Sequence, residues 1–270
     1  MENLAVTVPK ISISVVSHRQ IYLVANLLQD LTKYCHLLTF ELILTLNVDE
    51  ILLFSAADFP FPIKIIRNPK PLGFAANHNQ AFTHANGEFF CVMNPDIRLY
   101  SDPFPLLLAG LRDKSVGVVA PLILNEKWAI EDSVRRFPTP LIILCKALGF
   151  CRHCDYKVGE HLLYPDWVGG MFMVFSREMF SAIGGFDTRY FLYYEDVDLC
   201  ARLALRGYKV CLVPKSKVVH QAQRTSHHNP RYLLWHIASM LRFFLSQPFR
   251  AIMSSRLVKS IGTSCQVFKI

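Results

Sequence analysis

Residues 11–31 read Ile-Ser-Ile-Ser-Val-Val-Ser-His-Arg-Gln-Ile-Tyr-Leu-Val-Ala-Asn-Leu-Leu-Gln-Asp-Leu. Ile11 to Val16 is a short apolar run rich in β-branched residues. Ser17 and His18 interrupt it, and Ile21, Val24, Leu27, Leu28 and Leu31 then recur at helical spacing. The order is strand, loop, helix. It continues downstream, where Glu41 to Leu46, Ile63 to Ile66 and Phe89 to Met93 read as strands and an Ala-rich helix runs from about Phe74 to Ala85, ending near Gly87. Such alternation predicts an α/β fold with a mostly parallel central sheet flanked by helices. Ligands of such sheets collect beyond the carboxyl ends of the strands. The loops to watch are therefore Ser17-His18, Asn47-Val48-Asp49, Arg67-Asn68 and Asn94-Pro95-Asp96.

The second half opens irregularly with Pro121, Pro138 and Pro140, then predicts a strand at Val168 to Phe175 and a short helix capped by Ser176 and closed at Gly184-Gly185. The acidic cluster Glu195-Asp196-Val197-Asp198 starts a helix that ends at Gly207, and strands at Tyr208 to Val213 and Lys217 to Val219 lead to His220. From Arg231 to Leu245, a helix places Leu233, Leu234, Ile237, Leu241, Phe244 and Leu245 on its packed face. Arg231, Trp235 and Arg242 then fall within about 40° of one another as a basic and aromatic stripe.

The chain has 270 residues, 52% of them apolar and 19% charged, which excludes a disordered chain, a collagen or a coiled coil. The net charge of +8 is unevenly placed. Residues 201–270 hold 12 Lys or Arg and no Asp or Glu, leaving residues 1–200 with 17 basic against 21 acidic side chains. A basic tail suits phosphorylated ligands, an anionic membrane or nucleic acid, and no nucleic-acid motif accompanies it. Lys146, His236 and Arg242 interrupt the apolar stretches before they reach the length of a membrane span, and Met1-Glu2-Asn3 does not open a signal peptide, so a cytoplasmic chain is expected. The eight cysteines sit largely inside apolar runs and read as buried thiols.

A G-x-G-x-x-G turn after the first strand and a G-x-x-x-x-G-K-[ST] loop are both absent, against a dinucleotide enzyme and a P-loop NTPase. Cys151-Arg-His-Cys154 lacks the second pair that a structural zinc site needs. Asn94-Pro95-Asp96 is either a turn or a carboxylate placed at a strand end to hold Mg²⁺ or Mn²⁺. Carboxylates at a helix N-terminus complement its dipole, but three in four residues behind Tyr190 to Tyr194 exceed what capping needs. Crowded like charges screened by aromatic rings yield a proton acceptor. His220 is a surface residue or, if Asp96 faces it, a second metal ligand.

Read in order, these segments resemble family 2 inverting glycosyltransferases of the GT-A fold, in their rhamnosyltransferase-like branch. The likeness rests on Val15-Val16-Ser17-His18, Asn68 through Gly73-Phe74 to Asn77-His78-Asn79, Asn94-Pro95-Asp96, Trp167-Val168-Gly169-Gly170, and Gly185-Phe186-Asp187 through Tyr194-Glu195-Asp196-Val197-Asp198. It implies one GT-A domain over residues 1–230, with a nucleotide-binding half to about residue 100, an acceptor-binding half over 101–230, and a basic amphipathic tail over 231–270. Ser17, His18, Asn47 and Asn68 would surround the nucleoside, and Gly73, Asn77 and Asn79 would pack beside the donor. Asn94 and Asp96 stand at the family's D-x-D, with Asp96 and His220 as ligands of Mg²⁺ or Mn²⁺ and Arg224 near the phosphates. Asp196 becomes the general base, Glu195 and Trp167 orient the acceptor, and Gly169 and Gly170 let it approach the backbone. Two positions depart from the family pattern, Asn47 where an Asp is frequent and Asn94 in place of the first D-x-D carboxylate.

The implied activity is sugar transfer, of rhamnose or a similar hexose, from dTDP-rhamnose or a UDP-sugar to a glycan or lipid-linked glycan during bacterial cell-surface polysaccharide synthesis. The basic tail suggests peripheral contact with the inner face of the cytoplasmic membrane. Two rivals stay open at this point: a nucleotidyltransferase on a similar sheet, although Ser17-His18-Arg19-Gln20 is not a Gly-rich basic loop, and a non-catalytic carbohydrate- or membrane-binding protein of the same fold.

Overall fold

The computed structural model describes residues 9–150, 155–221 and 230–255. In the opening strand β1 (Ile11–Ser17), Ile11, Ile13 and Val15 pack against Leu27, Leu28 and Leu31 of α1 (Ile21–Tyr34). The alternating serines are buried on the other face. Ser12 Oγ donates to Glu41 Oε1 (2.6 Å) and accepts from the Gly87 N–H (2.8 Å), and Ser14 Oγ bonds His78 Nδ1 (2.8 Å). An Ile-Ser repeat that would suit a strand wet on one side is instead covered on both, its hydroxyls satisfied by hydrogen bonds.

Three further strands, β2 (Phe40–Leu46), β3 (Ile63–Arg67) and β4 (Phe89–Met93), join β1 in parallel in the spatial order β3-β2-β1-β4. Ser17 pairs with Leu46 and Leu46 with Arg67, so the loops that follow these strands share one edge. Helix α2 (Phe74–Phe82) ends earlier than the sequence pattern predicts, because the Thr83 hydroxyl turns back to the Gln80 carbonyl (2.7 Å).

The chain continues through β5 (Ile97–Arg98), α3 (Phe104–Gly110), β6 (Val116–Leu124), β7 (Val134–Arg135), α4 (Pro140–Ala147), β8 (Trp167–Val168), β9 (Phe172–Ser176), α5 (Arg177–Ile183), α6 (Glu195–Leu205), β10 (Lys209–His220) and α7 (Pro230–Phe244), with a last helix over residues 247–255. Among the described residues the main sheet has the order β3-β2-β1-β4-β9-β6-β10-β5, with β9 and β5 antiparallel to their neighbours. Helices α1 and α3 cover one face; α2, α5, α6 and α7 cover the other. The sheet is mostly parallel and flanked by helices, as the strand and helix alternation predicts.

Three sequence expectations change. The run Val168 to Phe175 is not one strand: Trp167–Val168 pairs with β7 in a separate two-stranded sheet, and Gly169-Gly170-Met171 carries the chain over to β9. The Gly169 N–H extends the β7–β8 register to the Ser133 carbonyl (2.9 Å), and the Gly170 N–H turns to the Asp196 carboxylate (2.9 Å). The two strands expected before His220 are one, β10, with a register shift between Val213 and Lys217 where Pro214 has no N–H to give.

The third change concerns α7. Trp235 is not part of an open stripe but packs on Phe191 (ring centroids 4.8 Å apart), while Phe243 is fully buried and Ser239 Oγ donates to the Leu192 carbonyl (2.9 Å). The residues expected to pack, Leu233, Leu234, Ile237, Leu241 and Leu245, are exposed instead. The helix is set by its aromatic side because the Tyr190–Tyr194 segment offers rings to stack against.

Cys35, Cys91, Cys200 and Cys211 are buried free thiols, and burial pushes the Cys211 thiol up to about 11. Cys151, Cys154 and Cys265 lie outside the described residues, as does Arg224.

Candidate active site

At the carboxyl edge of β1 to β4, the asparagines build the loop that follows β3. Asn47 Oδ1 accepts from the Leu72 N–H (2.7 Å) and from Asn68 Nδ2 (2.9 Å), and Asn47 Nδ2 donates to the Leu72 carbonyl (2.9 Å). Asn68 Nδ2 also donates to Asn77 Oδ1 (2.7 Å). Ser17 Oγ donates to Glu50 Oε1 (2.8 Å), and the same carboxylate accepts the N–H groups of Arg19 and Ile21 (2.8 and 3.0 Å), capping α1 from a distant loop. Of the four residues expected around the nucleoside, His18 is the exposed one. Ser17, Asn47 and Asn68, with Asn77, hold the loops at this edge through one another.

Gly73 and Asn79 tie α2 and its start to the loop between α5 and α6. The N–H of Phe74 donates to the Phe191 carbonyl (2.8 Å), and a Cβ on Gly73 would lie 2.4 Å from that oxygen. Asn79 Nδ2 donates to the Phe186 carbonyl (2.7 Å) and its Oδ1 accepts the Phe186 N–H (2.9 Å). Gly185, at φ +64°, has no room for a side chain beside Asn79.

Asp96 and His220 meet because β5 pairs with the end of β10, setting His220 opposite Ile97. The bidentate Arg98–Asp30 pair (2.6 and 3.0 Å) ties β5 to α1 and fixes that edge. His220 Nε2 is 3.3 Å from Asp96 Oδ2, and His220 Nδ1 is 2.9 Å from Glu131 Oε2. Burial opposes charge on this imidazole, but Asp96 and then Glu131 outweigh it and raise His220 to about 9. Asp96 Oδ1 is buried with no hydrogen-bond partner among the described residues. An orphaned carboxylate oxygen beside an imidazole whose far nitrogen is held by a second carboxylate suits a divalent cation such as Mg²⁺ or Mn²⁺, which would take the place of the His220 proton, since only the neutral imidazole has a lone pair to give. Asn94 contributes its backbone, donating its N–H to the Met171 carbonyl (2.9 Å).

That bond leads to the second half of the site. Met171 follows Gly170, whose N–H donates to Asp196 Oδ2 (2.9 Å), and the Val197 N–H donates to Asp196 Oδ1 (2.8 Å). A Cβ on Gly170 would touch Phe74 and Asp196 at ordinary contact distances, so this glycine meets Asp196 through its N–H. Tyr193 and Tyr194 both have positive φ (69° and 67°), a costly conformation for aromatic residues, and they deliver Glu195 and Asp196 at the start of α6. The third carboxylate turns away: Asp198 Oδ2 accepts from Arg202 Nε (2.7 Å), and Arg202 reaches the carbonyls of Ile183 and Gly185.

Asp196 and Glu195 line a cavity of about 540 Å³ with Trp167, Tyr193, Tyr194, Arg135 and Arg136, closed by Ile142 and Ile143 of α4 and by His236 and Met240 of α7. Burial raises the Asp196 carboxyl, against the N–H bonds from Gly170 and Val197 and the Arg135 charge. Burial and the neighbouring Asp196 charge drive the Glu195 carboxyl well above the ordinary range, which disfavours a second negative charge beside Asp196. Trp167 is fixed by its Nε1–H bond to the Arg136 carbonyl (2.9 Å), with the Arg135 guanidinium 5.6 Å from its ring centre. Glu50, Glu131, Arg135, Arg136 and His236 had no motif to mark them. Their signal, charged residues beside a predicted strand or in a two-residue strand, is too common to single out.

A family model described as glycosyl transferase family 2 matches residues 45–183, about half the chain. The chain belongs to glycosyl transferase family 2. A second model, described as the N-terminal domain of galactosyltransferase, matches residues 152–228 of this family 2 chain. It is similar to the rhamnosyltransferase WbbL of Escherichia coli, 30% identical over 63% of this chain and 69% of that protein. The N-acetylglucosaminyl-diphospho-decaprenol L-rhamnosyltransferase of Mycobacterium tuberculosis is 30% identical over 53% of this chain, which spans half of that relative's length. Among solved structures, GalNAc-T7 with UDP, GalNAc and Mn²⁺ superposes with a TM-score of 0.63 at 16% identity, over 81% of this chain and 44% of that one. A mannosyltransferase of Pyrobaculum calidifontis with GDP-Man and Mn²⁺ gives 0.56 at 16% identity, over 97% and 81%. Both share the GT-A fold with this family 2 glycosyltransferase, and the nucleotidyltransferase reading falls away.

Proposed function

We propose that this chain transfers rhamnose or a similar hexose from a nucleotide-diphosphate sugar to a hydroxyl of a lipid-linked glycan, with inversion, in cell-surface polysaccharide synthesis. The observation that carries the reading is Asp196, held by two backbone N–H groups on the wall of a 540 Å³ cavity that the Met171–Asn94 bond joins to the Asp96–His220 pair. Rhamnosyltransferase relatives at 30% identity favour dTDP-rhamnose over a UDP-sugar as donor.

The acceptor sugar enters the cavity and stacks on Trp167. Each Asp196 oxygen keeps a lone pair beyond the one given to its N–H partner, and one of them takes the proton of the acceptor hydroxyl. The hydroxyl oxygen bonds the anomeric carbon as the bond from that carbon to the diphosphate oxygen breaks; the nucleoside diphosphate leaves with that electron pair. Attack opposite the leaving group inverts the centre. Glu195, protonated, donates a hydrogen bond to the sugar and adds no second negative charge beside the base. Arg135 and Arg136 face an acceptor phosphate. Asp96 and His220 would hold Mg²⁺ or Mn²⁺, which supplies positive charge against the departing diphosphate.

The test is a transfer assay with dTDP-rhamnose, Mn²⁺ and a polyprenyl-diphosphate-linked N-acetylglucosamine, read by mass spectrometry. A product heavier by one deoxyhexose supports the reading. No product from this donor or from a panel of UDP- and GDP-sugars overturns it in favour of a binding protein of the same fold.

A further inference from the structure

We propose that the exposed apolar faces of α4 and α7 form one surface that docks on an anionic lipid bilayer, so that the acceptor cavity opens at the membrane. On α7, Leu233, Leu234, Ile237, Leu241 and Leu245 span about 120° of the helix and all are exposed. His236 and Met240, next to that arc, line the cavity. On α4, Ile142 and Ile143 line the same cavity, while Leu141 and Leu144 are exposed, followed by Leu148 and by Phe150 at 80% exposure. Two helices far apart in sequence thus border one cavity and both turn leucines outward.

Charge identifies what covers them. Arg231 and Arg242 are exposed along the edge of the α7 arc, about 40–60° beyond Leu245. The chain from residue 201 onward holds 12 Lys or Arg without one Asp or Glu. An apolar arc edged by arginines, on a helix that buries little more than Ser239 and Phe243, is the pattern of a helix lying in the plane of an anionic interface. A soluble partner would not require both helices to border the cavity. A bilayer does, because a lipid-linked acceptor presents its sugar at that plane. The inference rests on the acceptor cavity proposed above.

The experiment is flotation of the full chain, without donor or metal, with vesicles of equal parts phosphatidylglycerol and phosphatidylcholine and with phosphatidylcholine alone. Binding to the mixed vesicles and at least about tenfold weaker binding to the neutral ones is expected. The double variant Ile237→Glu/Leu241→Glu, and separately Leu144→Glu, each weakens binding to the mixed vesicles at least about tenfold. These side chains are already in water, so melting by circular dichroism stays within a few degrees of the parent, as roughly expected of surface substitutions. Failure to float with the mixed vesicles, binding unchanged by Leu144→Glu, or a dimer that the double variant converts to monomer overturns the proposal. Because no sugar transfer is read, failure here leaves the transferase reading standing.

Discussion

The backbone N–H of Gly170 donates to Asp196 Oδ2 across 2.9 Å, joining the link between β8 and β9 to the first turn of α6. Val197 grips the other oxygen at 2.8 Å. The carboxylate is held in one orientation while burial raises its proton affinity, the combination a general base needs.

Asp198, two residues on, has the opposite character. Its side chain is 2% exposed and pairs with Arg202 at 2.7 Å. Asp198→Asn leaves that guanidinium without its charge partner and costs about 3–5 kcal/mol. Thermal melting is expected to show the loss, with turnover per folded molecule kept within a fewfold. A variant that melts like the parent but does not turn over places Asp198 in the chemistry.

Glu195 contributes to the pH dependence of stability. Its folded carboxyl titrates well above the ordinary value, from burial and then the Asp196 charge, so its contribution is fully present below an unfolded pKa of about 4.3. That contribution is lost as pH climbs through the raised folded value. Glu195→Gln removes the titration. The melting temperature of the variant is expected to rise relative to the parent between acid and neutral pH; a gap that stays constant with pH contradicts the assignment.

The strand ends, the N-P-D turn and the acidic helix start were legible in sequence because each pairs a run of regular periodicity with the residue that stops it. Ile11 to Ser17 and Glu195 to Leu205 are such cases. The crossing at Gly169–Met171 was not legible, since Trp167 to Ser176 is one apolar run and the hydrogen bonds that split it go to Ser133 and Asp196, distant in the chain. The orientation of α7 is hidden in the sequence for a related reason. Its aliphatic side chains follow the helical period, yet its rings stack on the Tyr190–Tyr194 segment and the leucines are left exposed.

The asparagine cluster holds the loop that follows β3. Asn47→Ala strips partners from the Leu72 N–H and from Asn68, a cost of about 1–3 kcal/mol per buried group left unpaired. Donor KM is expected to rise more than kcat falls, because the loop wall moves while the base does not. Equal loss in both parameters with unchanged melting contradicts a positioning role.

Asp96 and His220 predict how a cation couples to donor binding. Calorimetry of nucleoside diphosphate binding is expected to show tighter binding with Mn²⁺ than with EDTA in the parent. Asp96→Ala abolishes the difference. Mn²⁺ enhancement that survives in the variant moves the cation elsewhere.

The central claim is tested most directly by comparing Asp196→Asn with the parent in single-turnover sugar transfer, with donor affinity measured on the same samples. Transfer is expected to fall by about 10²–10⁴-fold, the size of a lost general base, with donor affinity unchanged. Transfer at the parent's rate by the Asn variant contradicts the account.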